Sequence, residues 1–460
     1  MTVLLCALVS GVMFYLGFGL DDVWWLAWLA PAPILWLAYG DAPRWQIFAA
    51  AFAACVAGQV YAVQSYWGQL PVALLAGIMA GVSLLFAVAS VLARRAYQTL
   101  PPWLSLVAFP ALWTGFEYLN GLVSIHGSYG AMAYASGAFP ASVQVASLFG
   151  LYAVSFLMCL FANALALLAR GARGPALVGL GVCAAALVFG FIRLAAPQGE
   201  TIKVAALADW DARMRSTHHL DFAASQAVAA EYLAAARAEA DRGARLIVIP
   251  ETALAFDPAW RDALLQPFAE LARTRDITLV IGTMGVKPWR NVAISFLPDG
   301  SMKDYDKRHL LPPGEDKFTP GTRAGLLGGD RAVAICKDMD FERTLRSDAE
   351  QGPIRIIAVP ANDFVQDDWT HARMAILRGV ENGFAVVRSA FHGIETISDA
   401  DGRVLAAART TRPGLTAIRA SVPMGPGATL YTRIGDVFAW ACLAMAAVLM
   451  TMSLKKRAGP

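Results

Sequence analysis

Three residues able to form a covalent catalytic site lie at the ends of predicted apolar strands in the second half of the chain, the first two after a strand and the third as its last residue. They are an acid, Glu251, an amine, Lys307, and a thiol, Cys336. In α/β sheets, ligands bind at the carboxyl ends of strands. The sequence therefore predicts that these three side chains meet at one edge of a sheet.

Together they could support acyl transfer through sulfur. A cysteine with an ordinary pKa of about 8.5 is mostly a neutral thiol, and a carboxylate such as Glu251 can remove its proton. The ammonium of Lys307 and the backbone N–H of Lys337 could stabilise the oxyanion that forms when Cys336 attacks a carbonyl. A thioester would result, which water converts to an acid and an amine converts to an amide. From spacing alone, a buried structural cysteine and an ordinary loop acid remain the alternatives.

The segment around these residues reads as an α/β layered domain, because β-branched runs alternate with amphipathic stretches. Strands are predicted at 202–208, 246–249, 278–281, 292–297, 332–335, 354–359, 385–390 and 393–397. Helices are predicted at 220–241, 258–274, 342–350 and 368–382.

The rest of the chain has the composition of a membrane protein. Its first 199 residues hold ten charged side chains, whereas the other 261 hold 63. Apolar runs of spanning length lie near 3–20, 23–39, 46–66, 70–93, 103–120, 142–169, 174–195 and 437–453. The first two runs are short and form one hairpin or two spans. We predict an α-helical transmembrane bundle of about eight spans, formed by 1–195 and a last helix at 434–454, plus the α/β domain at 200–425.

Orientation follows from the basic residues of the short loops. Arg44, Arg94, Arg170 and the tail at 455–457 alternate with loops that lack lysine and arginine. This positive-inside pattern puts both termini in the cytoplasm and the α/β domain on the outer face of a bacterial plasma membrane. Five of the six cysteines lie in apolar membrane stretches, so Cys336 is the lone thiol of the exported domain.

The motifs around these residues resemble the nitrilase, or carbon–nitrogen hydrolase, superfamily. The matching residues are Pro250 with Glu251, Lys307 with His309 and Glu315, Ile335 with Cys336, Pro360 with Asn362 and Asp363, and Arg388 with Ser389. The resemblance implies an αββα sandwich with a Glu–Lys–Cys triad. Glu251 would be the general base, Cys336 the nucleophile and Lys307 the oxyanion-stabilising cation, with Glu315 orienting Lys307.

The arrangement of spans, together with Trp113, Glu117 and Tyr431, is similar to the apolipoprotein N-acyltransferase branch. That branch implies a phospholipid acyl donor and, as acceptor, the amino group of the N-terminal cysteine of a lipoprotein. An acyltransferase for another amine, a membrane-anchored amidase and a non-catalytic binding protein remain alternatives. No cofactor, metal or nucleic-acid partner is expected, because no metal-ligand spacing and no basic run is present.

Four further residues are candidates for substrate binding. Lys337 stands where the family has tyrosine, and it either acts on the thiol and the substrate or is a solvated lysine. Asn362 belongs to the family motif, and Trp369 either lines the acyl path or packs in the core. Glu117, an acid within an apolar run, is either functional or reaches the headgroups.

Overall fold

A computed structural model of the chain describes residues 1–19, 23–68, 70–218, 220–364 and 368–455. It divides into two compact units. One unit comprises Met1–Ala196 and Ile434–Pro460, and the other is Pro197–Arg433. The acidic loop at 21–22 and the basic residues at 456–457, both used to predict orientation, lie outside the described residues.

The first unit is helical. Its helices are α1 Thr2–Phe18, α2 Trp24–Leu29, α3 Ala32–Ala38, α4 Arg44–Gly58, α5 Val60–Tyr66, α6 Val72–Thr99, α7 Pro102–Val123, α8 Pro140–Val143, α9 Ala146–Phe149, α10 Leu151–Ala169 and α11 Arg173–Ala195. A 3₁₀ helix covers Met132–Ser136. The chain returns to this unit at Ile434, the last residue of α17 Leu430–Ile434, and then forms α18 Val437–Lys455.

All the predicted apolar runs are largely helical. Within the described residues, five helical segments are long and apolar enough to cross a membrane: Arg44–Tyr66, Val72–Thr99, Leu151–Ala169, Arg173–Ala195 and Val437–Lys455. The first two runs form the shorter apolar helices Thr2–Phe18 and Trp24–Ala38. The predicted helical membrane unit is therefore confirmed, whereas its count of about eight spans is approximate.

The second unit contains two six-stranded sheets. The first sheet has the order β12-β1-β2-β3-β4-β5, with β1 Thr201–Asp209, β2 Leu246–Phe256, β3 Thr278–Gly285, β4 Arg290–Phe296, β5 Met302–Asp306 and β12 Leu415–Pro423. The second has the order β11-β10-β9-β8-β7-β6, with β6 Leu326–Gly328, β7 Arg331–Val333, β8 Ile356–Asn362, β9 Ala385–Phe391, β10 Ile394–Ser398 and β11 Val404–Arg409.

The sheets pack face to face and are covered by helices, as predicted for an αββα sandwich. One apolar cluster joins Val204 and Val248 of the first sheet to Ile356 and Val387 of the second. Two other clusters lie on the outer faces of the sheets. The covering helices are α12 Ala212–His218, α13 Phe222–Asp241, α14 Arg261–Arg275, α15 Glu342–Gln351 and α16 Asp368–Asn382.

Strand direction brings the ends of several strands to the same edge of each sheet. Strands β1, β2 and β3 are parallel, and so are β7, β8 and β9. Strand β5 has the same direction as β3, because each is antiparallel to β4. Parallel strands end at a common edge, where ligands bind in such folds.

The sequence prediction missed four strands and misplaced two site residues. It did not include β5, β6, β11 and β12, which are the edge strands of the two sheets. Edge strands are half-exposed and carry polar residues, so their apolar signal is weak. Glu251 lies within β2 rather than after it, and Cys336 begins a 3₁₀ helix beyond β7 rather than ending a strand.

Candidate active site

Glu251 lies at an irregularity in the middle of β2. Pairing of β2 with β3 is interrupted between Ile249 and Leu254. Within this bulge, Thr252 has a φ of +53°, a left-handed conformation that is uncommon for a β-branched residue. Bulges re-aim side chains beside active sites. This one places the Glu251 carboxyl in a buried position, with the residue 3% exposed.

Gly282 of the neighbouring strand makes room for this bulge. A Cβ at this position would lie 2.3 Å from the carbonyl oxygen of Pro250 and 2.4 Å from the Cα of Glu251. A methyl group here would force the backbone at Pro250 and Glu251 to move. We therefore expect Gly282→Ala to lower the free energy of unfolding by about 1–3 kcal/mol and to slow the acylation of Cys336. Thermal unfolding and the acylation rate measure both effects. Unchanged values for both would contradict the assigned role of Gly282.

Lys307 follows β5 and contacts two carboxylates. Its Nζ donates to Glu251 Oε1 at 2.8 Å and lies 2.8 Å from Glu315 Oε2 and 3.0 Å from Glu315 Oε1. Burial of Lys307 disfavours its charge, but Glu251, Cys336 and Glu315 outweigh this effect and raise its pKa well above the ordinary value. The amine is therefore a permanent cation at neutral pH.

Asn291, at the start of β4, links the same two carboxylates and was missed by sequence reasoning. Its Nδ2 donates to Glu251 Oε1 at 2.6 Å and to Glu315 Oε1 at 2.7 Å. Glu315 Oε2 also accepts from the backbone N–H of Leu311 at 2.7 Å. An asparagine before an apolar strand was the available signal, but nothing local indicates which residues it would contact.

Cys336 begins a 3₁₀ helix, Cys336–Asp340, with a φ of +42°. Strained backbone of this kind clusters at functional sites. The residue is partly exposed, and its Sγ lies 3.7 Å from the carbonyl oxygen of Asn362. Burial of the sulfur raises the pKa of the thiol well above its ordinary value, and Glu251 adds to this effect while Lys307 opposes it. The three predicted side chains therefore form one electrostatic cluster.

This cluster predicts that Cys336 rests as a thiol. The ultraviolet absorbance of a thiolate at this position is measured as the spectrum of wild type minus that of Cys336→Ser. We expect no such difference absorbance at neutral pH. It is expected to appear only at a pH above the ordinary thiol pKa, because burial raises the pKa of this thiol. A difference signal already present at neutral pH would mean a preformed thiolate and would contradict this electrostatic account.

Asp338 connects the 3₁₀ helix that begins at Cys336 to the segment that carries Lys307. Its Oδ2 accepts from Tyr305 Oη at 2.7 Å and from the backbone N–H of Ile335 at 3.0 Å. Its Oδ1 accepts from the backbone N–H of His309 at 2.9 Å. Asp338 is fully buried, so these bonds satisfy a carboxylate that water cannot reach.

Comparison with known proteins now bears on both units. Residues 193–421 match the family model of the carbon–nitrogen hydrolases, and residues 10–164 match that of the apolipoprotein N-acyltransferase N-terminal domain. The chain belongs to the carbon–nitrogen hydrolase superfamily, in its apolipoprotein N-acyltransferase branch. The resemblance inferred from the motifs is thus confirmed.

Curated relatives extend over nearly the whole chain. An apolipoprotein N-acyltransferase of Geobacter metallireducens is 28% identical over 507 residues, covering 98% of this chain and 95% of the relative. One of Shewanella oneidensis is 25% identical and covers 94% and 92%. Among solved structures, an amidase of the nitrilase superfamily from Nesterenkonia aligns with a TM-score of 0.43 and 20% identity, covering 54% of this chain and 98% of that chain.

The other residues predicted for this carbon–nitrogen hydrolase have different surroundings. Lys337 is 4% exposed and its Nζ donates to the carbonyl oxygen of Leu310 at 3.0 Å, so the alternative of a solvated lysine is wrong. Asn362 ends β8 and offers its carbonyl to the sulfur of Cys336. Trp369 is partly exposed near the start of α16.

Glu117 belongs to the helical unit, in α7. Its Oε1 accepts from Trp113 Nε1 at 2.9 Å and from the backbone N–H of Met132 at 2.8 Å. The carboxylate therefore joins α7 to the 3₁₀ helix within this unit. Among the described residues of the chain, no group of three His, Cys, Asp or Glu has the arrangement of a metal site.

The cluster formed by Glu251, Lys307, Glu315 and Cys336 is chemically suited to nucleophilic attack on a carbonyl group. The ammonium of Lys307 donates to the carboxyl group of Glu251 at 2.8 Å. A carboxylate at this position can accept the thiol proton when sulfur attacks. The ammonium then faces the developing oxyanion.

Proposed function

We propose that this protein is a membrane N-acyltransferase that carries a fatty acyl group as a thioester on Cys336. The observation that carries the proposal is the buried contact of Lys307 with both Glu251 and Glu315, in electrostatic contact with the thiol of Cys336. A buried ammonium beside a thiol and a carboxylate is suited to stabilise the oxyanion that forms when the thiol attacks a carbonyl.

In the first half-reaction, Cys336 Sγ attacks the ester carbonyl of the donor while Glu251 takes the thiol proton. Lys307 and the backbone N–H of Lys337 stabilise the oxyanion. The C–O bond then breaks, the lysolipid oxygen takes the proton from Glu251, and the thioester remains. In the second half-reaction an amine attacks the thioester, its proton passes to Glu251, and the departing sulfur recovers that proton.

The donor and acceptor follow from the family and from physical chemistry. Relatives covering nearly the whole chain are named apolipoprotein N-acyltransferases. We assign the donor as a phospholipid and the acceptor as the N-terminal cysteine amine of a lipoprotein. Both substrates carry acyl chains whose transfer into water costs about 0.8 kcal/mol per CH₂, which explains why the enzyme is anchored in a membrane.

We further assign the site to the outer face of a bacterial inner membrane. The basic loops at Arg44, Arg94 and Arg170 support cytoplasmic termini by the positive-inside rule. The catalytic unit, Pro197–Arg433, follows a run of membrane helices and precedes the last one. This topology gives the enzyme access to lipoproteins that have already crossed the membrane.

A product assay tests the proposal. Purified protein is incubated with a phospholipid bearing a labelled acyl chain and a lipopeptide with an N-terminal S-diacylglyceryl cysteine. The expected product is a labelled amide on that cysteine, together with lysophospholipid. Labelled free fatty acid without amide would instead support a membrane-anchored amidase, with water as the acceptor. The same lipopeptide with a blocked amino group is the matched control and is expected to give no amide.

A further inference from the structure

Two arginines on α12 have different environments, although two positions separate them. Arg215 contacts three carboxylates: its Nη2 lies 2.8 Å from Asp209, its Nε 3.1 Å from Asp211 and its Nη1 2.7 Å from Glu231. Within the described residues, Arg213 donates through Nε alone, to the hydroxyl of Thr252. No carboxylate pairs with Arg213 among the residues that the structure describes, so its charge and both terminal nitrogens are available to a ligand.

Arg213 lies beside the catalytic cluster. Its Nε donates to Thr252 Oγ1 at 2.8 Å, and Thr252 is the strained residue that follows Glu251. Its charge also acts on His392, which directly follows β9. Burial lowers the pKa of His392, the charge of Arg213 lowers it further and Asp363 opposes both. Arg213 thus lies at the edge of the sheets that also carries the nucleophile.

The hydrogen bond to Thr252 orients the guanidinium group of Arg213. Because the hydroxyl holds Nε, the two terminal nitrogens keep a fixed direction, and side-chain entropy is already partly lost before a ligand binds. Arg213 is partly buried, which strengthens its attraction for an anion relative to a fully solvated cation. Guanidinium forks match the paired oxygens of phosphate, with charge-assisted hydrogen bonds.

We propose that Arg213 binds the phosphate of the phospholipid acyl donor and thereby sets the donor's position relative to Cys336. This inference rests on the proposed function, because the phosphate is that of the proposed substrate. By contrast, Lys307 is bound by Glu251 and Glu315, and Arg388 lies against Asp363. These two cations are neutralised within the protein, whereas Arg213 is not.

Donor selectivity tests this assignment. Acylation of Cys336 is measured with a phospholipid and with the p-nitrophenyl ester of the same fatty acid, which has no phosphate. We expect Arg213→Gln to raise the KM for the phospholipid roughly tenfold, the loss expected for a charge-assisted hydrogen bond, with a much smaller change in kcat. The kinetic constants for the p-nitrophenyl ester are expected to stay within about twofold of wild type. Arg213→Lys, which keeps the charge but loses the fork, is expected to lie between the two.

Arg215→Gln is the matched control, since it removes a neutralised cation from the same helix. Its KM for the phospholipid is expected to remain within about twofold of wild type. An equal rise in KM in both variants would overturn the proposal, because it would mean a distorted α12. The proposal would also be overturned if the KM of Arg213→Gln rose equally for both donors or for neither donor.

Two outcomes separate this inference from the proposed function itself. If wild type forms no acyl-enzyme with either donor, the proposed function fails. If wild type is acylated by both donors but Arg213→Gln retains the wild-type preference, only the phosphate assignment fails. Inorganic phosphate is also tested as a competitor of the phospholipid. Competition that occurs in wild type and is lost in Arg213→Gln would support phosphate as the recognised group. Equal inhibition of the two proteins would count against it.

Discussion

The Cys336→Ala variant is expected to lose acyl transfer by at least about 10³-fold while remaining folded. The reaction requires a sulfur nucleophile, and neither Glu251 nor Lys307 can replace it, since they are bound to each other. Alanine removes a single sulfur atom from a partly exposed position and meets the same φ of +42° as cysteine does. The fold should therefore survive the change.

Amide formation and thermal unfolding, measured on the same preparation, check this prediction. Cys442→Ala, which removes a buried cysteine of the helical unit, is a matched control that is expected to keep transfer activity. If Cys336→Ala retained activity within about tenfold of wild type, the nucleophile would lie elsewhere. A lipoprotein-processing phenotype that is unaffected by Cys336→Ala would favour the non-catalytic alternative.

Lys307→Met is expected to remove activity and also to destabilise the catalytic unit. Its ammonium contacts the carboxyl groups of Glu251 and Glu315, whose side chains are 4% and 14% exposed. Removing one partner of a buried ion pair costs about 3–5 kcal/mol, because an uncompensated charge stays in a medium of low dielectric constant. Loss of the oxyanion-stabilising cation slows transfer by a further factor of about 10²–10³.

The double variant Glu251→Gln with Lys307→Met separates the two effects. Replacing one carboxylate by an amide removes part of the uncompensated charge, so the free energy of unfolding is expected to recover partly relative to Lys307→Met alone. Activity is not expected to recover, because the general base is also absent. Denaturant unfolding and the transfer assay measure both quantities. Full recovery of activity would contradict the assigned roles of both residues.

The sequence predicted the fold because its central strands are continuous apolar runs. Strands β2, β3 and β8 are almost entirely buried, and their β-branched residues identify them without any knowledge of partners. The predicted helix at 368–382 coincides with α16. Edge strands such as β11 and β12 were missed, since their residues alternate between exposed and half-buried positions.

The candidate site was predictable only in its reactive groups. The chemical reactivity of Glu251, Lys307 and Cys336 is evident from the residue type alone. The residues that hold them, Asn291 and Asp338, act through contacts 24 to 40 positions away along the chain. Such contacts depend on how the sheets pair. No local pattern encodes them, and a single sequence therefore could not place them.

Intact mass spectrometry of the acyl-enzyme tests the central claim most directly. Purified protein is incubated with a phospholipid of defined acyl chain in the absence of an amine acceptor. We predict a mass gain of one acyl group on wild type, localised to Cys336, released by neutral hydroxylamine and absent from Cys336→Ala. An adduct of equal yield in both proteins, or no adduct on wild type under conditions in which lipopeptide is acylated, would contradict the account.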